Sequence, residues 1–165
     1  MPKIRFTISF CILLMSLSLG SCAQTKLGIV KAHAYMQLNM PGTIPVGDEH
    51  KGPDTVYRVY VETRAGINFN CIGAQIGQNS YKILSSKVSP PINIGISENG
   101  EAAIVNAKKG NNLWQLNLEK NDPIQFVKNY GGGSKIIVTL KVKYKKKNYT
   151  YPISHVSVLQ PELHM

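Results

Sequence analysis

The chain has 165 residues, 43% of them hydrophobic and 17% charged, with 19 basic and 9 acidic side chains and a formal net charge of +10. This length is typical of one domain. The composition is too apolar for a disordered chain and too poor in charge for a coiled coil, and three cysteines are too few for a disulfide-stapled miniprotein. The residues therefore indicate one globular domain.

The first 21 residues are typical of an export signal. Basic Lys3 and Arg5 precede an apolar run over residues 6–19, which is shorter than the ~20 residues that span a bilayer. The run ends in Leu19-Gly20-Ser21-Cys22. This ending resembles the lipobox of bacterial lipoproteins, and the resemblance covers the targeting segment alone.

The resemblance implies that a peptidase cuts before Cys22, which then carries acyl chains such as palmitate. Such chains anchor a protein with about 0.8 kcal/mol per buried methylene. In the Gram-negative pattern an Asp after the lipidated Cys retains the protein at the inner membrane, whereas here Ala23 follows. The sequence therefore predicts an outer-membrane lipoprotein, and the lack of an acidic cluster beside Cys22 favours a periplasm-facing domain. An ordinary secretory signal next to an incidental cysteine is the alternative.

After the signal, apolar and polar residues alternate with a period of two, which predicts strands. Residues 30–38 form the first such strand. A three-residue hairpin loop at Arg64-Ala65-Gly66, with positive φ at the glycine, would place Val59 opposite Cys71. We expect the next hairpin to turn at Asn99-Gly100, with Ile94 opposite Val105 and Ile92 opposite Ala107.

The last hairpin is the longest. Residues 136–144 place aliphatic side chains on one face and lysines on the other, and Tyr149, Tyr151 and Ile153 return on the apolar side. Either a two-residue or a four-residue turn satisfies this matching. Eight or nine short strands predict an all-β fold, with an antiparallel Greek-key β-sandwich of immunoglobulin-like or related type as the specific architecture.

These patterns divide the chain into four segments. Residues 1–21 are the signal peptide, 22–28 a lipidated tether, 29–160 a single β-sandwich domain and 161–165 a tail.

The basic excess is concentrated near the end of the chain. Residues 22–122 carry 10 basic and 8 acidic side chains, whereas residues 123–165 carry 7 basic and 1 acidic. The functional interpretation is a surface that binds an acidic protein, a glycan or an anionic lipid headgroup. The alternative is protection of a sheet edge by lysines. The predicted patch consists of Lys141, Lys143, Lys145, Lys146 and Lys147.

Known catalytic, metal and nucleotide motifs are absent from the sequence. Cys71 is the one cysteine left after processing and acylation, so we expect a buried structural thiol.

The polar cluster Asp48-Glu49-His50, with Asp54 nearby, is expected to be a solvated loop. The histidines lack metal-binding spacing. They are His33, His50, His155 and His164.

The sequence thus predicts a lipid-anchored, non-enzymatic binding or scaffolding module, such as a subunit of an envelope complex. It predicts no catalytic residue, no metal, no cofactor and no nucleic-acid partner. Two alternatives remain open. One is a β-barrel carrier of a small apolar ligand, and the other is an envelope hydrolase built on the Asp48–His50 cluster or on Cys71.

Overall fold

The computed structural model describes residues 27–41, 54–120 and 136–164. Every named element in these ranges is a strand, so the predicted all-β class is confirmed. The strands are β1 (Ile29–Pro41), β2 (Asp54–Thr63), β3 (Cys71–Ile76), β4 (Asn79–Val88), β5 (Ile92–Ile96), β6 (Ala102–Val105), β7 (Asn112–Lys120), β8 (Val138–Tyr144), β9 (Lys147–Ile153), β10 (Val156–Val158) and β11 (Glu162–His164).

Nine strands form a single sheet in the order β10-β1-β2-β7-β4-β3-β8-β9, and β11 pairs with β1 farther along the same edge. β10 and β11 run parallel to β1, because the end of the chain returns along the outer edge of that strand. The other pairs are antiparallel. The sheet curls into a half-barrel that brings β9 near β1. The predicted antiparallel Greek-key sandwich is thus not confirmed, since nine of the eleven described strands make one mixed sheet and β5 and β6 form a separate two-stranded hairpin.

The inner face of the curled sheet holds the main hydrophobic core. Ala34, Val59 and Leu116 lie side by side on β1, β2 and β7, and all three are buried. Burial of a valine or leucine side chain contributes about 1.5–3 kcal/mol. Aliphatic side chains of β3, β8 and β9 complete the same cluster.

The β5–β6 hairpin packs on the outer face, where Ile94 and Val105 contact Tyr60 and Leu113 of the sheet. The predicted pairing of these two strands is correct, but the predicted register is wrong. Ile92, not Ile94, pairs with Val105. One residue of the shift arises at the turn, where Ile96 pairs with Ala102 rather than Ala103, and the other arises at an irregularity between Asn93 and Ile96. That irregularity contains Gly95 at φ +127°, a conformation that favours glycine.

The predicted pairing of β2 with β3 is wrong as well. Gly66 does adopt positive φ, but β2 pairs with β1 and β7, and β3 pairs with β4 and β8. Residues 64–70 carry the chain away from β2, with Phe69 buried 5.9 Å from the Trp114 ring. Val59 and Cys71, which were matched as hairpin partners, are therefore buried in the same core on strands that do not pair.

Candidate functional site

The predicted lysines lie on the outer side of the β8–β9 hairpin. Leu140 pairs with Tyr151, which confirms the side-chain matching. Leu140 and Val142 are 0% and 2% exposed, so Lys141 and Lys143, which alternate with them, face solvent on the opposite side. We name residues Val138–Ile153 the lysine hairpin. Its exposed basic residues are Lys141, Lys143, Lys145, Lys146 and Lys147.

The turn of the lysine hairpin has two residues, Lys145 and Lys146, because Tyr144 pairs with Lys147. Both turn residues have positive φ, at 47° and 65°. This is the conformation that Asn-Gly adopts easily in a tight hairpin, whereas other L-residues adopt it at a cost. Two lysines therefore occupy the tip of the hairpin despite an unfavourable backbone conformation.

Nothing in the hairpin neutralises its positive charge. Among the described residues, none of the five lysines forms an ion pair. Residues 136–160 contain no Asp or Glu, and neither does β3, the other neighbour of β8. The Lys145 Nζ atom lies 5.5 Å from the centre of the Tyr144 ring, where it makes a cation–π contact.

The edge-protection alternative explains only part of this pattern. β9 lies at one end of the sheet order and contains Pro152, a residue that suits an edge strand. Lys147 is on β9, but Lys141 and Lys143 are on β8, which is paired on both sides. A lysine on an internal strand cannot block pairing at the edge, so these two residues need another explanation.

Cys71 is buried, as predicted. Its Sγ lies 3.5 Å from the carbonyl oxygens of Gly73 and Lys141. Burial raises the pKa of the thiol to about 11, although both hydrogen bonds lower it. A nucleophilic cysteine needs a lowered thiol pKa and a nearby base, so this environment suits a structural role.

Two of the four histidines line the same cleft. His33 and His155 line a shallow cleft of about 270 Å³ between β1, β9 and β10. Burial lowers the pKa of His33, Lys31 lowers it further and Glu62 raises it. In the described part of the chain, no group of three or more His, Cys, Asp or Glu side chains could hold a metal ion.

A second cleft, of about 400 Å³, was not predicted from the sequence. It lies between β1, β5 and the C-terminal residues. Gln37 is 5% exposed and donates from Nε2 to the Gln160 carbonyl at 3.0 Å, while its Oε1 has no partner among the described residues. Arg58 donates to the Ile94 carbonyl at 3.2 Å and lies 3.5 Å from Glu162. These polar groups come from distant segments, so no local pattern could have indicated them.

Glu62 is a buried carboxylate that holds the connection before β7. Its Oε1 accepts hydrogen bonds from the Lys108 amide at 3.0 Å and from the Asn111 side chain. The alternation of β2 gave no sign of this role, because the partners lie more than 40 residues away. The arrangement is structural, since both donors come from the loop that it fixes.

Several predicted features lie outside the described residues. These are the signal peptide, Cys22 and the Asp48-Glu49-His50 cluster. Asp54 begins β2, and His164 ends β11. The described ranges contain no helix long and apolar enough to cross a bilayer. No known protein-family model and no curated protein matches the chain.

Proposed function

We propose that the chain is a bacterial lipoprotein whose acylated Cys22 anchors it in the outer membrane, facing the periplasm. The support is the apolar run over residues 6–19 and the lipobox-like Leu19-Gly20-Ser21-Cys22 that ends it. Two or three acyl chains form a durable anchor without a membrane-spanning helix. The β domain is then held at the membrane surface.

We further propose that this domain is a non-enzymatic binding or scaffolding module that acts within an envelope complex. The observation that carries the proposal is the lysine hairpin, whose five exposed lysines form no ion pair with any described residue. Such a surface attracts an acidic protein, a glycan or an anionic lipid headgroup. The unfavourable φ of Lys145 and Lys146 supports a role for these side chains beyond folding.

The environment of the chemically reactive groups favours binding over catalysis. Both hydrogen bonds of the Cys71 thiol go to backbone carbonyls, and burial holds its pKa high. Aliphatic side chains fill the inner face of the half-barrel, where a carrier of apolar ligands would need space. A surface for partners therefore fits the described residues better than a carrier or a hydrolase does.

A charge-removal variant tests this function. Replacing Lys143, Lys145, Lys146 and Lys147 with Gln should reduce the protein and glycan partners that co-purify from gently solubilised envelopes, and this effect should fade at high salt. The matched controls are Lys143→Gln, which removes one charge from the hairpin, and Lys82→Gln, which removes one exposed lysine from β4, so their comparison separates position from net charge. Unchanged co-purification by the hairpin variant, with an unchanged circular dichroism spectrum, would contradict the hairpin as a binding surface for a protein or a glycan.

A further inference from the structure

The strand order brings several connections to the end of the sheet from which the N-terminal segment leaves. β1 begins at this end, where Ile29 pairs with Thr63, the last residue of β2. Thr63 also pairs with Asn112, the first residue of β7, and Val88, the last residue of β4, pairs with Leu113. The connections after β2 and β4 and before β7 therefore lie together here.

The turn of the lysine hairpin belongs to the same end. Cys71, the first residue of β3, pairs with Val142 near the end of β8. The Lys143 amide donates to the Asn70 carbonyl at 2.9 Å, and Asn70 closes the connection that leaves β2. The tip formed by Lys145 and Lys146 thus lies on the side where the chain enters β1.

We name these connections the basic end. They are residues 27–28, 64–70, 89–91, 106–111 and 145–146. Their charged residues are all basic and exposed, and comprise Arg64, Lys108, Lys109, Lys145 and Lys146. The carboxylate adjoining this end, Glu62, is buried and accepts hydrogen bonds from the 106–111 connection. Three separate parts of the sequence therefore build one positively charged surface.

The proposed anchor lies close to this surface. Leu27 is 1% exposed and marks the point where the chain enters the core. Five residue steps separate it from Cys22, and an extended chain covers at most ~3.6 Å per residue. The lipidated residue therefore lies within about 18 Å of the basic end.

We infer that the basic end lies against the anionic phospholipid headgroups of the membrane that holds the anchor, so the domain has one fixed orientation. This inference rests on the proposed lipid anchor. Each lysine or arginine near an anionic surface strengthens association about fivefold. The cleft at Gln37 is eight residues along β1 from Ile29, about 27 Å farther from the membrane. That cleft faces the periplasm in this orientation.

Site-specific fluorescence in vesicles tests the orientation. The mature lipidated protein carries a dye at Ala65→Cys in the basic end or at Gln78→Cys in the β3–β4 turn at the opposite end, and both positions are exposed. The vesicles consist of phosphatidylcholine with or without phosphatidylglycerol, and a headgroup-linked quencher reports proximity. With phosphatidylglycerol, the dye at residue 65 should be quenched much more strongly than the dye at residue 78.

A matched pair of charge reversals identifies the cause. Lys109→Glu lowers the net charge of the basic end by two units. The ratio of oriented to freely tumbling molecules should therefore fall about 30-fold. Lys82→Glu makes the same change on an exposed β4 lysine and should leave quenching unaltered. Equal quenching at residues 65 and 78, or equal effects of the two reversals, would overturn the inferred orientation.

Two other measurements test the proposed lipid anchor independently of the orientation. Intact mass shows whether Cys22 carries acyl chains, and flotation with pure phosphatidylcholine vesicles shows whether they insert. If both fail, the proposed anchor is wrong, and sedimentation of the unlipidated chain with phosphatidylglycerol vesicles tests the basic end alone. Binding that Lys109→Glu weakens about 30-fold and Lys82→Glu preserves would support the membrane surface, and no binding would refute it.

Discussion

Replacing Lys145 and Lys146 with Asn and Gly should stabilise the protein. These residues form the two-residue turn between β8 and β9, with φ values of 47° and 65°. The left-handed region costs an ordinary L-residue about 1–2 kcal/mol, whereas Gly enters it freely and Asn at a reduced cost. The double variant Lys145→Asn/Lys146→Gly keeps the pairing of Tyr144 with Lys147 and removes most of this strain.

The expected gain in stability is the difference between two backbone effects, the relief of strain in the folded chain and the greater freedom of the unfolded chain. Relief of both residues would contribute about 2–3 kcal/mol, and the greater freedom of Gly in the unfolded chain takes back up to about 1 kcal/mol. The free energy of unfolding should therefore rise by about 1–2 kcal/mol, with a melting temperature several degrees higher. Urea denaturation followed by circular dichroism measures the change directly.

The variant also removes two positive charges, so its control is Lys145→Gln/Lys146→Gln. This control loses the same charges without gaining a residue that favours positive φ, and we expect it to recover less than half of the stabilisation. Equal stabilisation by both variants would assign the effect to charge repulsion. No stabilisation by the Asn-Gly variant would refute the argument that the turn is strained.

Three further predictions follow from buried contacts. Because burial raises the pKa of Cys71 from 9.0 to about 11, the folded state favours the neutral thiol, and the contribution of this thiol to the free energy of unfolding should fall by about 2 kcal/mol between pH 9 and pH 11. The Cys71→Ala variant should lack this part of the pH dependence, and an identical profile would contradict the assignment. Glu62→Ala should destabilise the fold by about 1–3 kcal/mol in urea titrations because two part-buried hydrogen bonds lose their acceptor, whereas Glu62→Gln, which keeps a carbonyl oxygen, should lose less. Gly28→Ala should be more destabilising than Gly66→Ala, since both have positive φ but only the first added Cβ meets Ile67 atoms at 2.6 Å, and equal thermal shifts would refute this steric argument.

Local patterns were sufficient to predict the lysine hairpin. Alternation placed Leu140 and Val142 on the buried face and assigned Tyr151 of the return strand to the same face, where it pairs with Leu140. The structure selects the two-residue turn from the two lengths that the sequence allowed. A hairpin is predictable because its partners are adjacent in the chain and its two faces differ in polarity.

Partners that are distant in the chain could not be predicted in the same way. Val59 was matched with Cys71 because both are apolar, but Val59 pairs with Ala34 and Leu116 instead. Any buried strand offers the same apolar face, so periodicity identifies a strand without identifying its neighbour. The short strands β10 and β11 pair in parallel with β1 and are too brief to show alternation.

The two candidate surfaces, the lysine hairpin and the basic end, differ in the same way in how far the sequence predicts them. The lysine cluster at 141–147 is visible in the sequence because its members are consecutive or alternate. The basic end is not, since Arg64, Lys108 and Lys145 come to the same end of the sheet only through the pairing of β2 with β7 and of β3 with β8. The buried Gln37 in the larger cleft resembles any polar residue on the solvent side of a strand.

The account depends most directly on the anchor at Cys22. Intact-mass spectrometry of the protein purified from bacterial membranes measures both the processing site and the lipid. We predict a chain that begins at Cys22 and carries the added mass of two or three acyl chains. A chain recovered in the soluble fraction, or one that is cleaved elsewhere and unmodified at Cys22, would contradict the account.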